Sequence, residues 1–142
     1  MHTPVRVLFL CDANSARSQM AEALLRKVGG NAFGVHSAGL DPKPLHPFAV
    51  KVMREIDLDI ADQQSKHLNE FMDTQFDYVI TLCDQVRSSC AAFMRDNVTE
   101  HWQCEDPLEA KGSDEQKLAV FRRVRDEIRQ KVETWVGKIR PG

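Results

Sequence analysis

The chain has no dense run of lysine or arginine, no apolar stretch near membrane-spanning length, no Cys-x2-Cys pair, no internal repeat and no low-complexity linker. Each absence removes a class of function. A net charge of -2 without a basic cluster argues against nucleic acid or an anionic membrane as the main partner. Any small anion must then be drawn in by a local site. The N-terminal apolar stretch is short and enters a strand within a few residues, unlike a signal peptide, so a cytoplasmic location is expected. Four cysteines in a reducing compartment point to catalysis or metal binding more than to structural disulfides. Cys83, Cys90, His101 and Cys104 fit no common zinc spacing, and His36, His46, His67 and His101 show no pairing that demands a metal or a triad. No metal and no bound cofactor is expected.

What is present is ordinary in bulk and unusual in one place. With 142 residues, 42% hydrophobic and 28% charged, residues 1–142 read as one globular domain able to bury its own core. The unusual place is Cys11-Asp12-Ala13-Asn14-Ser15-Ala16-Arg17-Ser18, between the apolar segment Val5 to Leu10 and a helical pattern. A thiol at the end of a buried strand, followed by a turn into a helix N-terminus, faces successive backbone N–H groups and the positive end of the helix dipole. Arg17 adds a fork suited to a tetrahedral oxyanion. The same field favours a thiolate at Cys11, and Ser18 can donate to that sulfur. A buried structural cysteine is the plainer alternative, and Cys-x5-Arg by itself is weak. The strand before, the helix after and the two hydroxyls make Cys11 a candidate nucleophile.

Met20, Ala21, Leu24, Leu25 and Val28 recur at helical spacing up to a stop at Gly29-Gly30. Phe33 to Ser37 reads as a second strand, Pro47 as the first turn of a helix, Tyr78 to Leu82 as a third strand and Val98 to Trp102 as a weaker fourth. Leu118, Phe121, Val124, Ile128, Val132, Trp135 and Ile139 predict a long final helix capped by Ser113, with its arginines and lysines on the solvated face. Strands alternating with helices imply a parallel sheet covered on both faces, whose ligands bind at the strands' carboxyl ends. Cys11 and Cys83 each fall just past such an end. Cys90 could reach Cys83 by a loop movement. Asp106, before Pro107, is either a general acid beside the anion cradle or the cap of a turn. Cys104 beside Trp102 reads as core filling.

Taken together, Cys11-x5-Arg17-Ser18 with Asn14, Ser37-Ala38-Gly39 and Asp106-Pro107 resemble the low-molecular-weight protein tyrosine phosphatase superfamily. The run Asn14 to Glu22, the Thr81-Leu82-Cys83 segment with Cys90, His101-Trp102 and Phe121 to Ile128 resemble the thioredoxin-coupled arsenate reductases on that fold, over nearly the whole chain. The resemblance implies a flavodoxin-like four-stranded parallel sheet flanked by helices, with the anion loop between strand 1 and helix 1. It implies arsenate as substrate (phosphate or sulfate as mimics), gripped by residues Asp12, Ala13, Asn14, Ser15, Ala16, Arg17 and Ser18. Cys11 would attack arsenic while Asp106 protonates the departing hydroxide; Cys83 and then Cys90 would relay the disulfide to thioredoxin. Glutathione with glutaredoxin is the alternative donor, and a monomer is expected.

Three departures bear on function. Ala16 stands where many relatives have a cysteine outside the relay, and Asp12 puts a carboxylate within the loop. Lys66 stands where some members carry an acidic residue that helps hold potassium, so its ammonium is expected to replace that cation. Two rival functions remain. A phosphatase would use Cys11, Arg17 and Asp106, but gives Cys83 and Cys90 no task and lacks the tyrosines that follow Asp-Pro in phosphatases. A thiol sensor without catalysis needs no nucleophile matched to Arg17, Ser18 and Asp106.

Overall fold

Val7, Leu8, Phe9 and Leu10 are all shielded from solvent, so the apolar run that opens the chain is buried on both faces, as a central parallel strand requires. The computed structural model describes residues 3–83 and 97–139. Strand β1 (Val5–Cys11) lies between β2 (Phe33–Gly39) and β3 (Tyr78–Thr81), and β4 (Val98–His101) follows β3, giving the all-parallel order β2-β1-β3-β4. The alternation within β1 divides the core. Val7 and Phe9 pack with Met20, Leu24, Phe121, Ile128 and Trp135, whereas Leu8 and Leu10 pack with Ala38, Leu68, Phe76 and Val79.

The first face is covered by α1 (Arg17–Gly29), α2 (Pro47–Arg54) and α3 (Asp114–Ile139). Among the described residues, the second is covered by the 3-10 turn Leu68–Phe71 and the chain leading to Phe76. Pro47 occupies the first turn of α2, where its missing N–H costs nothing. The Ser113 hydroxyl accepts from the Gln116 N–H at 3.2 Å, capping α3. The expected strands, helices and parallel sheet are all present.

Three details differ. β2 continues to Gly39 because its ladder with β1 runs through the Cys11–Gly39 pair, so Cys11 is the last residue of β1 and not a residue beyond it. β3 and β4 end at Thr81 and His101, although Leu82 N–H still donates to Leu10 O and Trp102 N–H to Thr81 O. Arg125 is not on the solvated face of α3. It is buried, donating at 2.8 Å to Val52 O and at 2.9 Å to Glu55, because the carbonyl and carboxylate of α2 and its C-cap give its charge partners inside the α2–α3 seam.

The chain crosses from β1 to β2 on one side and returns to β3 on the other. The carboxyl ends of β1 and β3 thus form the switch point at which open parallel sheets bind ligands. No helix among the described residues is long and apolar enough to cross a membrane.

Candidate active site

Cys11 ends β1, and Arg17 begins α1 without any side-chain cap at its N-cap residue Ala16. Between them the chain curls so that its carbonyls point outward into partners. Asp12 O accepts from Asp41 N–H, Ala13 O from Lys43 N–H and Ser15 O from His46 N–H, at 2.9, 2.9 and 3.0 Å. Turning carbonyls outward presents the intervening N–H groups to the concave side, the geometry of an anion nest. That concavity is a cavity of about 40 Å³ lined by Cys11, Asp12, Ala13, Ser15, Ala16, Arg17, Asp106 and Leu108. Pockets for drug-sized ligands start at roughly 300 Å³, so this one suits a small ion. Two larger clefts of about 650 Å³ lie elsewhere, one beside α1 around Glu22 and Lys66, the other between β4 and α3.

The curl is enforced from beneath. Asn14 is fully buried with φ 49, a left-handed conformation that asparagine tolerates better than most residues. Its Oδ1 accepts from Lys66 N–H at 2.8 Å, which fixes the amide so that Nδ2 donates to Ser18 Oγ at 2.7 Å and Ser37 Oγ at 3.0 Å. Ser37 donates in turn to the buried Glu22 carboxylate at 2.7 Å. Ser18 Oγ lies 2.9 Å from Cys11 Sγ. Gly39 must lack a side chain, because a Cβ there would stand 2.6 Å from Asp12 O.

Arg17 crosses the site. Its Nη1 donates to Leu82 O at 3.0 Å and Cys104 O at 3.3 Å, and its Nη2 lies 3.5 Å from Asp106 Oδ2. Burial works against its charge, but Asp106, then Cys11, Cys104 and Cys83, more than compensate and raise its pKa above the ordinary value. The guanidinium therefore stays charged among three thiols and a carboxylate. Asp106 caps its turn and also faces the site: Oδ1 caps the 3-10 turn Pro107–Glu109 by accepting from Leu108 N–H at 3.0 Å, and Oδ2 faces Arg17.

Cys83 is half-buried and shares with Arg17, His101, Cys104 and Asp106 the wall of a second cavity of about 500 Å³. The structure thus gathers Cys11, Arg17, Ser18, Cys83 and Asp106 at one rim. Cys90 lies outside the described residues. Cys104 belongs to the core and also to the rim, since its carbonyl holds Arg17 and its thiol donates to Leu82 O at 3.6 Å. Burial, partly offset by Arg17, pushes that thiol up to about 11. His46 caps α2, His67 caps the turn at Leu68 and His101 bonds Thr81. Among the described residues no cluster of three histidines, cysteines or carboxylates could hold a metal.

Several supports were not legible in the sequence. Ser65 donates to Asn14 O at 2.7 Å, and Gln19 Nε2 donates to the same carbonyl at 2.9 Å. Gln63 in turn holds Gln19 Oε1 at 2.8 Å. Ser65 reaches the loop from 51 residues away and Gln63 supports it through Gln19 from 44 residues away, and no local spacing announces them. Lys66 sits where its ammonium lies 3.8 Å from Glu22 Oε1 and donates to Gln64 O at 2.8 Å.

The model of the low molecular weight phosphotyrosine protein phosphatase family matches residues 6–141. The chain belongs to that family. An arsenate reductase of Halalkalibacterium halodurans is 43% identical over 129 residues, which are 91% of this chain and 93% of that protein. A glutaredoxin arsenate reductase of Synechocystis is 37% identical over 94% of this chain and 98% of its own. Among solved structures, an arsenate reductase in the phosphate binding state superposes with a TM-score of 0.81 at 36% identity, covering 94% of this chain and 98% of that one. The four-stranded parallel sheet and the loop between β1 and α1 are those expected from the resemblance to this family.

Proposed function

We propose that this protein is an arsenate reductase in which Cys11 is the nucleophile. One observation carries the reading beyond the family. Cys83, a second thiol, stands on a wall shared with Arg17 and Asp106, beside the anion loop. Phosphate ester hydrolysis has no use for that thiol, whereas reduction requires it.

The chemistry follows from the positions. Arsenate enters the nest and is gripped by backbone N–H groups and Arg17, with Asn14 and Ser15 holding the loop. The Cys11 thiolate, steadied by the Ser18 hydroxyl, attacks arsenic. An S–As bond forms and an As–O bond breaks, with Asp106 delivering the proton that lets the oxygen leave as water. Cys83 then attacks the Cys11 sulfur. An S–S bond forms, the S–As electron pair stays on arsenic, and pentavalent arsenic departs as trivalent arsenite. Cys90 attacks Cys83 next, freeing Cys11 and leaving a Cys83–Cys90 disulfide for an external dithiol. That donor is thioredoxin, as the resemblance of the Cys83 and Cys90 pair to the thioredoxin-coupled reductases implies, in a cytoplasm kept reducing; the 37% identity to a glutaredoxin arsenate reductase keeps glutathione and glutaredoxin as the second donor.

Arsenate-dependent NADPH oxidation with thioredoxin and thioredoxin reductase tests the reading. Multiple turnover by the wild type, abolished in Cys11→Ser and Cys83→Ser, is expected. Turnover only with glutathione and glutaredoxin changes the donor and keeps the reductase. Inactivity in both, with brisk hydrolysis of para-nitrophenyl phosphate, makes the protein a phosphatase.

A further inference from the structure

Cys104 is a buried thiol that the relay does not use, and it lies beside one that the relay needs. The parallel register of β3 and β4 ends on the pair Thr81–His101, and Trp102 N–H donating to Thr81 O at 2.9 Å carries it one residue further. Cys83 and Cys104 therefore leave neighbouring strands at nearly the same level. Arg17 Nη1 staples the two extensions together, donating to Leu82 O at 3.0 Å and to Cys104 O at 3.3 Å. The Cys104 thiol itself donates to Leu82 O at 3.6 Å, an oxygen separated from the Cys83 Cα by only three covalent bonds. Both residues line the same cavity of about 500 Å³. Neighbouring strands run about 4.8 Å apart, and a disulfide asks for Cα atoms within roughly 7 Å.

Building on the reductase reading above, we propose that Cys104 is a second resolving thiol, able to take Cys83 from the Cys11–Cys83 disulfide when Cys90 does not. The Cys104 thiolate attacks the Cys83 sulfur, forming a Cys83–Cys104 bond. The Cys11–Cys83 bond breaks, and Cys11 leaves with the electron pair as a thiolate beside Arg17. The proton lost by Cys104 goes to solvent through the cavity. Two electrons from an external dithiol then reduce the new disulfide. This route keeps the nucleophile from being trapped as a disulfide.

It is a slow route for a physical reason. Burial pushes the Cys104 thiol up to about 11, even with Arg17 pulling the other way. Little thiolate is present near neutral pH, though a more basic thiolate is a better nucleophile; together these leave it about 10- to 100-fold slower than an ordinary thiol. The thiolate fraction rises about tenfold for each pH unit below that value, so the route gains with pH.

The test is thioredoxin-coupled turnover of Cys90→Ser. Expected is one fast turnover followed by steady turnover about 10- to 100-fold below wild type, rising steeply from pH 7 to 9. Cys90→Ser with Cys104→Ser should keep the fast first turnover, which reports an intact fold, and lose the slow phase. Trypsin cleaves on either side of the two thiols, so the trapped bond joins peptides 67–87 and 96–111. A Cys90→Ser protein that stops after one turnover at every pH, with Cys11–Cys83 as its disulfide, overturns the proposal. The geometry is read separately by diamide oxidation of Cys11→Ser with Cys90→Ser, where only Cys83 and Cys104 remain. Linkage of the two peptides there, in a protein whose wild type reduces no arsenate, would sink the reductase and leave the thiol pair standing. No linkage sinks the pair whatever the activity.

Discussion

The Ser18 hydroxyl lies 2.9 Å from the Cys11 sulfur while accepting a hydrogen bond from Asn14 Nδ2 at 2.7 Å. The neighbours of Ser18 favour one direction for that first contact. Lys66 N–H fixes Asn14 Oδ1, Glu22 can only accept from Ser37, and Asn14 Nδ2 donates to both serines. Ser18 Oγ thus already accepts from Asn14, and its own proton is available to the sulfur when Cys11 acts as the thiolate nucleophile.

Removing it tests the chain of bonds at its last link. Hydrogen bonds to charged groups contribute about 1.5–3 kcal/mol, which predicts a loss of roughly 10- to 100-fold in kcat/KM for Ser18→Ala. Alkylation of Cys11 by iodoacetamide at pH 7 should slow in parallel. Unchanged alkylation would mean that the hydroxyl supports the loop's shape and not the sulfur.

Asp106 caps its own turn through Oδ1 and faces Arg17 through Oδ2. Asp106→Asn preserves the cap and removes the proton donor. General acid catalysis contributes typically about 10²–10⁴-fold, so the arsenate-dependent rate should fall by at least 100-fold. Inhibition by phosphate should remain. Loss of both rate and phosphate inhibition would assign Asp106 to holding Arg17 instead.

Lys66 places its ammonium 3.8 Å from the buried Glu22 carboxylate that anchors Ser37 and hence Asn14. A fixed cation already stands there, so replacing potassium by sodium at constant ionic strength should leave turnover unchanged. Clear stimulation by potassium would show that the ammonium does not serve as that cation.

Glu55 receives both Arg122, through two nitrogens, and Arg125. Hydrogen bonding from Arg122, then from Arg125, outweighs the opposing effect of burial and holds the Glu55 carboxyl below its usual range. A carboxylate whose folded pKa is depressed contributes stability that is present above its unfolded pKa and lost as pH falls through the folded one. The urea midpoint of Glu55→Gln should therefore lie below wild type at pH 7 and converge with it as pH falls below the ordinary glutamate range. Because Glu55 is only partly shielded, the gap should be small. Parallel profiles across the whole range would exclude the clamp.

The sequence by itself determined the elements and the reactive run. The apolar stretch of β1, the period of α3 and the punctuation at Gly29-Gly30, Pro47 and Ser113 are local signals. Local signals survive folding because backbone preference and burial pattern act over a few residues. The loop from Cys11 to Ser18 was legible for the same reason, its whole chemistry being contiguous in the chain. Tertiary structure alone decided what converges on that loop. Ser65 reaches it across 51 residues, Gln63 holds Gln19 behind it, Arg17 ties Leu82 to Cys104, and Arg125 turns inward to meet α2. Such contacts carry no periodicity. Sheet order and register set them, bringing the carboxyl ends of distant strands to one rim, and only there do Cys83, Cys104 and Asp106 come to share Arg17.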